Sequence, residues 1–399
     1  MLIDQAVILA GGLGTRLGEV SMETPKPMHI INQHPFLEYV IWNLKRYGIK
    51  NIILSVGHLS DVIINYFGDG SGFGVHITYV SENKPLGTAG ALKLCKPHLS
   101  DKFLFMNGDT IFDINLDDLA LASRTENDSD ILALRSVDDS SHYGQVVLSG
   151  HLIKRFTEKQ EKGLGLISGG IALLHKRTID IIPDGSCSME YDIYPLLAAK
   201  GRLIGKEYKG FFIDIGLPET LLSAEKLVPI WRSKRTVMLD RDGVINIDKG
   251  YVNSPDRFEW TEGAVDAIKY ANDAGILVIV ITNQSGIARG FYTESEFKTF
   301  MIWINTQLRA RGAHIDGWYY CPHHPTEGIA PFCIDCECRK PKPGLINKVI
   351  YEWDLDPNCC IMVGDKESDI ESASKSGING FLFDPAEDNL LLKFKEFLK

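Results

Sequence analysis

The sequence predicts an α/β protein made of two doubly wound domains, each built on a parallel sheet covered by helices. At 399 residues the chain is longer than one hydrophobic core normally serves, so two domains of ordinary size are expected. Apolar, strand-like segments alternate with amphipathic, helix-like segments in both halves, and this order favours parallel sheets. A glycine-rich loop follows a predicted strand in the first half, and a pair of aspartates follows one in the second. One ligand site in each domain is therefore expected.

The first half contains well-separated strand and helix signals. Strands are expected at residues 6–9, 51–56 and 103–106, because these short apolar runs end in polar or glycine-rich segments. Residues 36–47 have the spacing of apolar side chains that is typical of a helix. The last of the three strands runs into Asn107-Gly108-Asp109, which puts a carboxylate at a strand end.

The second half repeats this organisation. Its strands are expected at residues 237–239, 277–281 and 360–363, and each is followed by a polar residue that suits phosphate chemistry. In Rossmann-like sheets, ligands bind beyond the carboxyl ends of the strands. The motifs that carry chemistry in this sequence lie at such ends, which favours a functional interpretation over a chance pattern.

The domain boundary is predicted between an amphipathic segment and the next strand. The amphipathic segment covers residues 219–227, and the strand begins at Thr236. We therefore assign residues 1–228 to the first domain, 229–235 to a linker and 236–399 to the second domain. The intervening residues show neither low complexity nor a repeat, and no hexapeptide pattern suggests an appended β-helix.

Composition and charge narrow the classes of partner. The formal net charge of −10 argues against nucleic acid, although glycine loops and Mg²⁺ can still bind phosphate groups. No apolar run approaches the roughly 20 residues of a membrane span, and the N-terminus lacks the pattern of a signal peptide. A cytoplasmic enzyme that acts on small molecules, without nucleic-acid or membrane partners, is expected. The sequence leaves the oligomeric state open.

The glycine-rich loop is the first motif that indicates chemistry. It reads LAGGLGTRL over residues 9–17 and is followed by PKP at 25–27. Closely spaced glycines let the backbone approach a triphosphate and point N–H groups at its oxygens, while fixed cations can bind a leaving pyrophosphate. A tight strand-to-helix turn is the structural alternative for the glycines alone. The candidate phosphate-contacting residues are Gly11, Gly12, Gly14, Arg16 and Lys26.

Together with LGTAG at 86–90, GDT at 108–110 and FIDIG at 212–216, this glycine-rich loop resembles the signature of sugar-1-phosphate nucleotidyltransferases over residues 1–228. The resemblance implies a GT-A-like domain that needs no protein nucleophile. It implies that Asp109 and Asp214 hold Mg²⁺, which brings two anionic substrates together. Nucleotide and sugar contacts are implied for Gly11, Gly12, Gly14, Thr15, Gly87, Thr88, Glu190 and Lys159. At Lys159 the sequence departs from the family pattern, since Gln160 stands where proline is usual.

The paired aspartates of the second half, Asp240 and Asp242 in the string DRDG, resemble the signature of haloacid-dehalogenase (HAD)-type phosphatases. Asp240 would attack phosphorus, and Asp242 would protonate the leaving alcohol and then activate water. Gly243 permits the turn that aims both carboxylates at one point. Three further motifs follow in the family's order. They assign a phosphoryl contact to Thr282, charge neutralisation to Lys340, an Mg²⁺ shell to Asp240, Asp242 and Asp365, and a supporting role to Asp369.

Four side chains that can bind a metal lie in the segment that leads to Lys340. They form CxH and CxC pairs that suit a closed, structural Zn²⁺ site, and a loop of free thiols is the alternative. The predicted ligands are Cys321, His323, Cys336 and Cys338, which leaves Cys333 and His324 as spare groups. Bound zinc would make the segment that delivers Arg339 and Lys340 rigid.

Residues 236–384 resemble D-glycero-D-manno-heptose 1,7-bisphosphate 7-phosphatases. The matching strings include DRDG, TNQSGIARG, YCPHHP and CRKP. Histidinol-phosphate phosphatases share the zinc pattern but usually have a shorter metal loop, so CPHHP and SGIARG favour the heptose enzymes. The resemblance implies that Arg339 binds the distal 1-phosphate. The substrate site it implies is lined by Asp248, Tyr251, Asn283, Gln284, Ser285 and Arg339.

The two resemblances together predict a bifunctional enzyme. The phosphatase would convert heptose 1,7-bisphosphate to heptose 1-phosphate, and a guanylyltransferase would join this product to GMP from GTP, giving GDP-D-glycero-α-D-manno-heptose. Mg²⁺ at both sites and structural Zn²⁺ are the expected cofactors. Three alternatives stay open at this point: an ADP-forming transferase, a fusion for another nucleotide sugar, and a regulatory protein with degenerate sites.

Overall fold

The computed structural model describes two compact units. The chain divides into Met1–Pro229 and Ile230–Lys399, and this division falls within the predicted linker. Among the described residues, none of the helices combines the length and the apolar character that crossing a bilayer requires. The described residues are 3–12, 24–141, 144–157 and 163–398.

The first unit is a mixed α/β structure. Its strands are β1 (Gln5–Leu9), β2 (Ile30–Ile31), β3 (His34–Pro35), β4 (Asn51–Val56), β5 (His76–Ser81), β6 (Lys102–Asn107), β7 (Thr110–Phe112), β8 (Asp130–Val137), β9 (Gln145–Ser149), β10 (Leu152–Thr157), β11 (Gly165–His175), β12 (Leu203–Glu207) and β13 (Phe212–Asp214). Its helices are α1 (Phe36–Arg46), α2 (Ser60–Phe67), α3 (Gly87–Leu94), α4 (Leu116–Thr125), α5 (Tyr194–Ala199) and α6 (Pro218–Arg232), the last of which continues past the division between the units.

The main sheet of this unit is parallel on one side and mixed on the other. Its order is β5-β4-β1-β6-β11-β8-β12-β10-β9. Strands β5, β4, β1 and β6 run parallel, as the sequence predicts. The prediction is wrong for β11, which runs antiparallel to both β6 and β8, whereas β12 runs parallel to β8. Strands β9 and β10 are joined by only two residues, too few for the dozen or more of a parallel crossover, so this pair is antiparallel as well.

The core of the first unit lies against the faces of this sheet. On one face, Val7 and Phe105 pack in a single apolar cluster with Leu92 of α3 and Leu197 of α5. A separate two-stranded ladder pairs β7 with β13, with Asp214 opposite Thr110. This ladder joins distant parts of the chain beside the end of β6.

Helix α6 is longer than the amphipathic segment suggests. It continues to Arg232 with Pro229 inside it, although the segment was expected to end at residue 227. Ala224, Val228 and Trp231 are all buried. Their spacing of i, i+4 and i+7 carries the apolar stripe past the proline, and packing of that stripe offsets the lost backbone hydrogen bond.

The second unit contains an entirely parallel sheet. Its strands are β14 (Thr236–Leu239), β15 (Leu277–Asn283), β16 (Gly317–Cys321), β17 (Cys360–Gly364) and β18 (Asn379–Leu382). Its helices are α7 (Ala264–Asp273), α8 (Ser285–Ala288), α9 (Glu294–Arg309), α10 (Gly344–Trp353), α11 (Glu367–Lys375) and α12 (Leu390–Phe397). The strand order is β16-β15-β14-β17-β18, with all neighbours parallel.

Both faces of this second sheet are covered, which confirms the doubly wound prediction. Val237 and Leu239 belong to a cluster with side chains of α7, α9 and α12. Met238, between them, belongs to a different cluster with side chains of α10 and α11. Successive side chains of a strand point to opposite faces, so a fully buried β14 has no polar face. Its carboxyl end delivers Asp240 to the edge of the sheet where β15 and β17 also end.

Candidate active sites

The first candidate site is a cleft of about 740 Å³ at the carboxyl ends of β1, β4, β5 and β6. The predicted site residues that line it are Gly11, Gly12, Lys26, Gly87, Thr88 and Asp109. Asp214 and Glu190 lie outside this lining. Glu190 accepts a hydrogen bond from the lining residue Thr88, and Ile215, next to Asp214 in the chain, donates its N–H to the Asp109 carbonyl (2.9 Å). Gly14, Thr15, Arg16 and Lys159 fall outside the described residues.

A pair of carboxylates lies where the β7–β13 ladder meets the end of β6. Asp214 accepts hydrogen bonds from the Thr110 hydroxyl (3.0 Å) and the Gly216 N–H (2.7 Å). Burial raises the pKa of Asp109 to about 6, and the Asp214 carboxylate adds to the rise while Lys26 opposes it. Two mutually repelling carboxylates beside one lysine are chemically suited to Mg²⁺, which would favour their ionised forms.

The predicted base loop packs on the segment that carries Glu190. The Thr88 hydroxyl donates to Glu190 Oε2 (2.9 Å) and accepts from the Met189 N–H (2.8 Å). Gly87 has φ +70°, and a Cβ there would lie 2.6 Å from the Cys187 carbonyl oxygen, so only glycine fits. Thr88 therefore uses its hydroxyl to position Glu190, a role that the resemblance to the transferases did not suggest.

The first cleft is also lined by polar residues that were not predicted from the sequence. Glu82 follows β5 directly and accepts a hydrogen bond from the Leu86 N–H at Oε2 (3.1 Å). The signal that could have found it is its position at the carboxyl end of a parallel strand. The additional polar lining residues are Ser55, His58, Glu82, Asn83, Lys84 and Asn107.

The second candidate site is a pocket of about 630 Å³ at the carboxyl ends of β14, β15 and β17. The structure brings together ten residues singled out from the sequence: Asp240, Asp242, Asp248, Tyr251, Thr282, Asn283, Gln284, Ser285, Arg339 and Lys340. Asp369, expected as a support, also lines the pocket. Tyr292, Lys366 and Ser368 line it as well and were missed.

Lys340 is a buried cation between two carboxylates. Its Nζ lies 3.0 Å from Asp240 Oδ1 and 2.6 Å from Asp369 Oδ1, and it donates to the Ile281 carbonyl at 2.8 Å. Burial raises the pKa of Asp240 to about 6; Lys340 opposes this rise, and the carboxylates of Asp369 and Asp242 add to it. The Asn283 amide fixes the Lys340 backbone by donating to its carbonyl and accepting from its N–H, both at 3.1 Å.

Asp242 is held by donors on both oxygens. Arg241 Nη2 lies 2.8 and 2.7 Å from its two oxygens, Asn246 donates to Oδ1 (3.0 Å) and Gln284 donates to Oδ2 (3.1 Å). Burial by itself raises the pKa of Asp242, but Arg241 and these hydrogen bonds outweigh it and lower the pKa below its ordinary value. The Arg241 guanidinium is fully buried, 5.6 Å from the ring centres of Phe297 and Phe300.

Three carboxylates of the second pocket can hold a cation. Oxygens of Asp240, Asp365 and Asp369 lie within 4.8 Å of one another. Asp365 Oδ1 is buried without a hydrogen-bond partner in the part of the chain that the structure describes, which fits a metal ligand. Gly243 has φ +90°, and a Cβ there would collide with Asp365. The sequence also predicted the Asp242 side chain as an Mg²⁺ ligand. Its oxygens instead accept hydrogen bonds from Arg241, Asn246 and Gln284, and Asp369 lies in the carboxylate cluster in its place.

The cysteine–histidine group has the geometry of a closed tetrahedral site. Cys336 Sγ lies 3.5 Å from Cys321 Sγ and 3.3 Å from Cys338 Sγ, and His323 Nδ1 lies 3.7 and 3.4 Å from Cys321 and Cys338. With zinc–sulfur bonds of about 2.3 Å, tetrahedral ligands lie about 3.8 Å apart. Arg339, which lines the pocket, donates from Nη1 to the His323 carbonyl (3.1 Å). The group can therefore bind zinc and is linked to the pocket by one hydrogen bond.

Comparison with known proteins matches both units. The nucleotidyl transferase family profile matches residues 5–229, more than half of the chain, and a HAD-hydrolase-like profile matches residues 337–384. D-glycero-beta-D-manno-heptose-1,7-bisphosphate 7-phosphatase of Pasteurella multocida is 47% identical over 137 residues, covering 34% of this chain and 74% of the relative. The protein of the same name from Yersinia pestis is 42% identical over 147 residues, covering 37% and 78%.

A solved structure also resembles the chain. HddC from Yersinia pseudotuberculosis, complexed with GMP-PN, matches with a TM-score of 0.51 at 34% identity, and the match covers 57% of this chain and 100% of that one. The α/β architecture with a nucleotidyltransferase domain and a HAD-like domain agrees with the sequence prediction. The chain belongs to the nucleotidyl transferase family through residues 5–229 and also to the family of D-glycero-beta-D-manno-heptose-1,7-bisphosphate 7-phosphatases.

Proposed function

We propose that this chain makes GDP-D-glycero-α-D-manno-heptose in two consecutive reactions. Its second unit removes the 7-phosphate of heptose 1,7-bisphosphate, and its first unit transfers GMP from GTP to the heptose 1-phosphate, releasing pyrophosphate. The observation that carries the proposal is the presence of two constellations on one chain, Asp109 with Asp214 and Lys26, and Asp240 with Lys340. The cytoplasm, which supplies GTP, is the proposed location.

The phosphatase constellation supports a two-step hydrolysis. Asp240 would form an oxygen–phosphorus bond while the bond from phosphorus to the heptose oxygen breaks. Asp242 would have to carry a proton when the substrate is bound; it would give this proton to that oxygen and later take one from the water that attacks the aspartyl-phosphate, so Asp240 ends as a carboxylate and Asp242 returns to its protonated form. Lys340 would neutralise charge on Asp240, from which it lies 3.0 Å. Mg²⁺ held by Asp240 and Asp365 would supply further neutralisation of the phosphate.

The other pocket residues would select the substrate. Arg339 is proposed to bind the distal 1-phosphate, because a planar guanidinium pairs with two phosphate oxygens at once. Thr282 would donate its hydroxyl to a phosphoryl oxygen. Zn²⁺ on the cysteine–histidine group would keep the Arg339–Lys340 segment in place, since Arg339 already bonds to the His323 carbonyl. Asp248 and Tyr251 would contact the sugar between the two phosphates.

The transferase constellation supports direct attack by the sugar phosphate. A 1-phosphate oxygen of the heptose would bond to the α-phosphorus of GTP as the bond to pyrophosphate breaks, and no protein nucleophile is needed. Lys26 would attract the phosphates, Asp109 and Asp214 would hold Mg²⁺, and Glu190 would accept hydroxyls of the heptose. Arg16 and Lys159 are proposed on the sequence alone.

Glu82 favours guanine over adenine. A carboxylate is only an acceptor, and guanine presents two donors side by side, N1–H and the N2 amino group. Adenine presents the N1 lone pair at the same edge, which a carboxylate repels. Glu82 lines the cleft beside Gly87, and its Oε2 accepts from the Leu86 N–H, so the side chain is held in place.

Glu82→Gln is expected to reduce kcat/KM for GTP by about 10- to 100-fold and to narrow the preference for GTP over ATP. The glutamine oxygen can keep the Leu86 hydrogen bond, while its amino group replaces an acceptor by a donor. Initial rates with GTP, ATP, CTP and UTP at fixed heptose 1-phosphate measure the effect. Asn83→Ala, which changes another residue of the same cleft, serves as control. An unchanged GTP-to-ATP ratio would remove Glu82 from base selection, and a wild-type preference for ATP would favour the ADP-forming alternative.

The order of the two reactions tests the proposed pathway. With heptose 1,7-bisphosphate and GTP together, inorganic phosphate is expected before GDP-heptose, because the Glu190 carboxylate repels a second phosphate on the sugar. Time-resolved assay of phosphate and nucleotide sugar measures the order. The phosphatase relatives are named for the β anomer, so both anomers are supplied in parallel. Formation of a nucleotide-linked heptose 7-phosphate by an Asp240→Asn variant would contradict the order. If the wild-type protein acted on none of the sugar phosphates, a degenerate regulatory protein would be favoured.

A further inference from the structure

Gln284 lies at the bottom of the second pocket with both ends of its amide engaged by protein. Its Nε2 donates to Thr282 Oγ1 (2.8 Å) and to Asp242 Oδ2 (3.1 Å), and its Oε1 accepts from the Tyr292 hydroxyl (2.6 Å). Gln284 is only 2% exposed. The resemblance to the heptose phosphatases placed Gln284 against substrate, but its polar atoms are directed at three side chains of the pocket.

The orientation of this amide is fixed at both ends. Asp242 Oδ2 already accepts a hydrogen bond from Arg241 Nη2, so it faces the amino end of Gln284 as a second donor. The phenol of Tyr292 is 5% exposed, and burial raises its pKa to about 12, so it keeps the proton that it donates to Oε1. A rotated amide would place oxygen against the Asp242 carboxylate and leave the Tyr292 proton facing an amino group. Only the observed orientation satisfies the partners.

The amide also determines which way the Thr282 hydroxyl donates. Because Thr282 Oγ1 accepts from Gln284, its own proton is left for another acceptor, and Thr282 faces the pocket in which a phosphoryl group would lie. Asp242 has two other donors, Arg241 and Asn246, so it depends less on Gln284. The main consequence of a misoriented amide would therefore fall on the Thr282 donor.

Local packing holds the Tyr292 ring in place. A Cβ on Gly286 would collide with the Tyr292 ring, so glycine at this position makes room for the aromatic side chain. The Gln284 N–H donates to the Cys321 carbonyl (2.8 Å), which anchors the start of the same turn to strand β16. The Tyr292 ring thus lies directly against Gly286, and its hydroxyl is directed at Gln284 Oε1.

We propose that Tyr292 is a positioning residue of the phosphatase: its hydroxyl fixes the Gln284 amide, which aligns Thr282 for phosphate transfer and helps to hold Asp242. Neither Tyr292 nor Gln284 binds the sugar in this arrangement. The inference rests on the proposed phosphatase reaction and is independent of which sugar phosphate the pocket accepts.

Tyr292→Phe in the full-length chain tests this proposal. The variant is expected to lower kcat for phosphate release about 5- to 20-fold and to change KM less than about 2-fold, because alignment of the transferred group is lost while substrate contacts remain. Guanylyl transfer by the same sample should be unchanged. Tyr320→Phe is the matched control, since it removes a comparable hydroxyl that donates to Glu294 (2.7 Å) outside the pocket.

A double-mutant cycle separates positioning from general stabilisation. Gln284→Met should lower kcat at nearly constant KM, and adding Tyr292→Phe to it should have no further effect, because the tyrosine would act only through the amide. Additive losses in the double variant, or a raised KM with unchanged kcat for Gln284→Met, would overturn the proposal. If Tyr292→Phe does not fold, the changes in kcat and KM of Gln284→Met test the proposal without it. The cycle can be measured on any phosphate monoester that the wild type hydrolyses, including p-nitrophenyl phosphate, so failure of the heptose assignment leaves the test intact.

Discussion

Asp240→Asn is expected to reduce phosphate release from heptose 1,7-bisphosphate by about 10⁴-fold or more, because an amide cannot attack phosphorus. Guanylyl transfer to supplied heptose 1-phosphate should stay within about 2-fold of wild type, because the two constellations lie in separate units. Phosphate release and GDP-heptose formation are measured on the same protein sample. The reverse pattern is expected for Asp109→Asn and for Lys26→Ala.

The control for this experiment is Asp256→Asn, which changes an exposed aspartate of the same unit. It should leave both activities intact. If a folded Asp240→Asn protein lost both activities, the proposal of two independent sites would be wrong. If it kept phosphate release, Asp240 would not be the nucleophile, and the carboxylates of Asp242 and Asp369 would need to be tested in its place.

Cys336→Ser is expected to lower the zinc content well below about one ion per chain and to reduce phosphate release by about 10- to 100-fold. The physical reason is the connection from the cysteine–histidine group to the pocket: Arg339 donates a hydrogen bond to the carbonyl of His323, a proposed zinc ligand, and Lys340 follows in the chain. Elemental analysis of freshly purified, dialysed protein gives the zinc content, and the phosphatase assay gives the activity. Guanylyl transfer should be unaffected.

Cys333→Ser provides a matched control for the zinc experiment. Cys333 is a half-buried thiol in the same loop and lies outside the four-residue group. It should retain both zinc and activity. Wild-type protein that carries no zinc when freshly purified, or full activity of Cys336→Ser without zinc, would contradict the structural role. Equal loss from Cys333→Ser would point to general sensitivity of the loop.

Much of the phosphatase pocket could be predicted from the sequence because its parts lie at the ends of parallel strands. Asp240, Thr282 and Asp365 follow three apolar runs, and in a doubly wound sheet these ends converge. The three strands are β14, β15 and β17, which are neighbours in the observed sheet. The clustering of Cys321, His323, Cys336 and Cys338 was predictable for a different reason, since their paired spacings place the four side chains on two short segments whatever the details of packing.

The first domain was less predictable where strands pair with partners that are distant in the sequence. The parallel half of its sheet followed from strand and helix alternation, but β11 pairs antiparallel with β6 and β8, and no local pattern marks this direction. The joining of Asp109 to Asp214 depends on the β7–β13 ladder, which pairs segments that are distant in sequence. The resemblance to the transferases named both carboxylates, and the ladder supplies the physical reason that they meet.

By itself, the sequence determined the two-domain α/β architecture, the strand ends that carry the motifs and the chemical types gathered there, because hydrophobic periodicity and short-range spacing are local properties. Only the tertiary structure decided which partner each polar side chain takes. Asp369 lies in the carboxylate cluster, while Arg241 and Gln284 donate hydrogen bonds to Asp242. The Thr88 hydroxyl donates to Glu190, and the Tyr292 hydroxyl donates to the Gln284 amide. A buried donor or acceptor takes whichever partner packing brings within about 3 Å, and that choice is made by long-range contacts that no local pattern records.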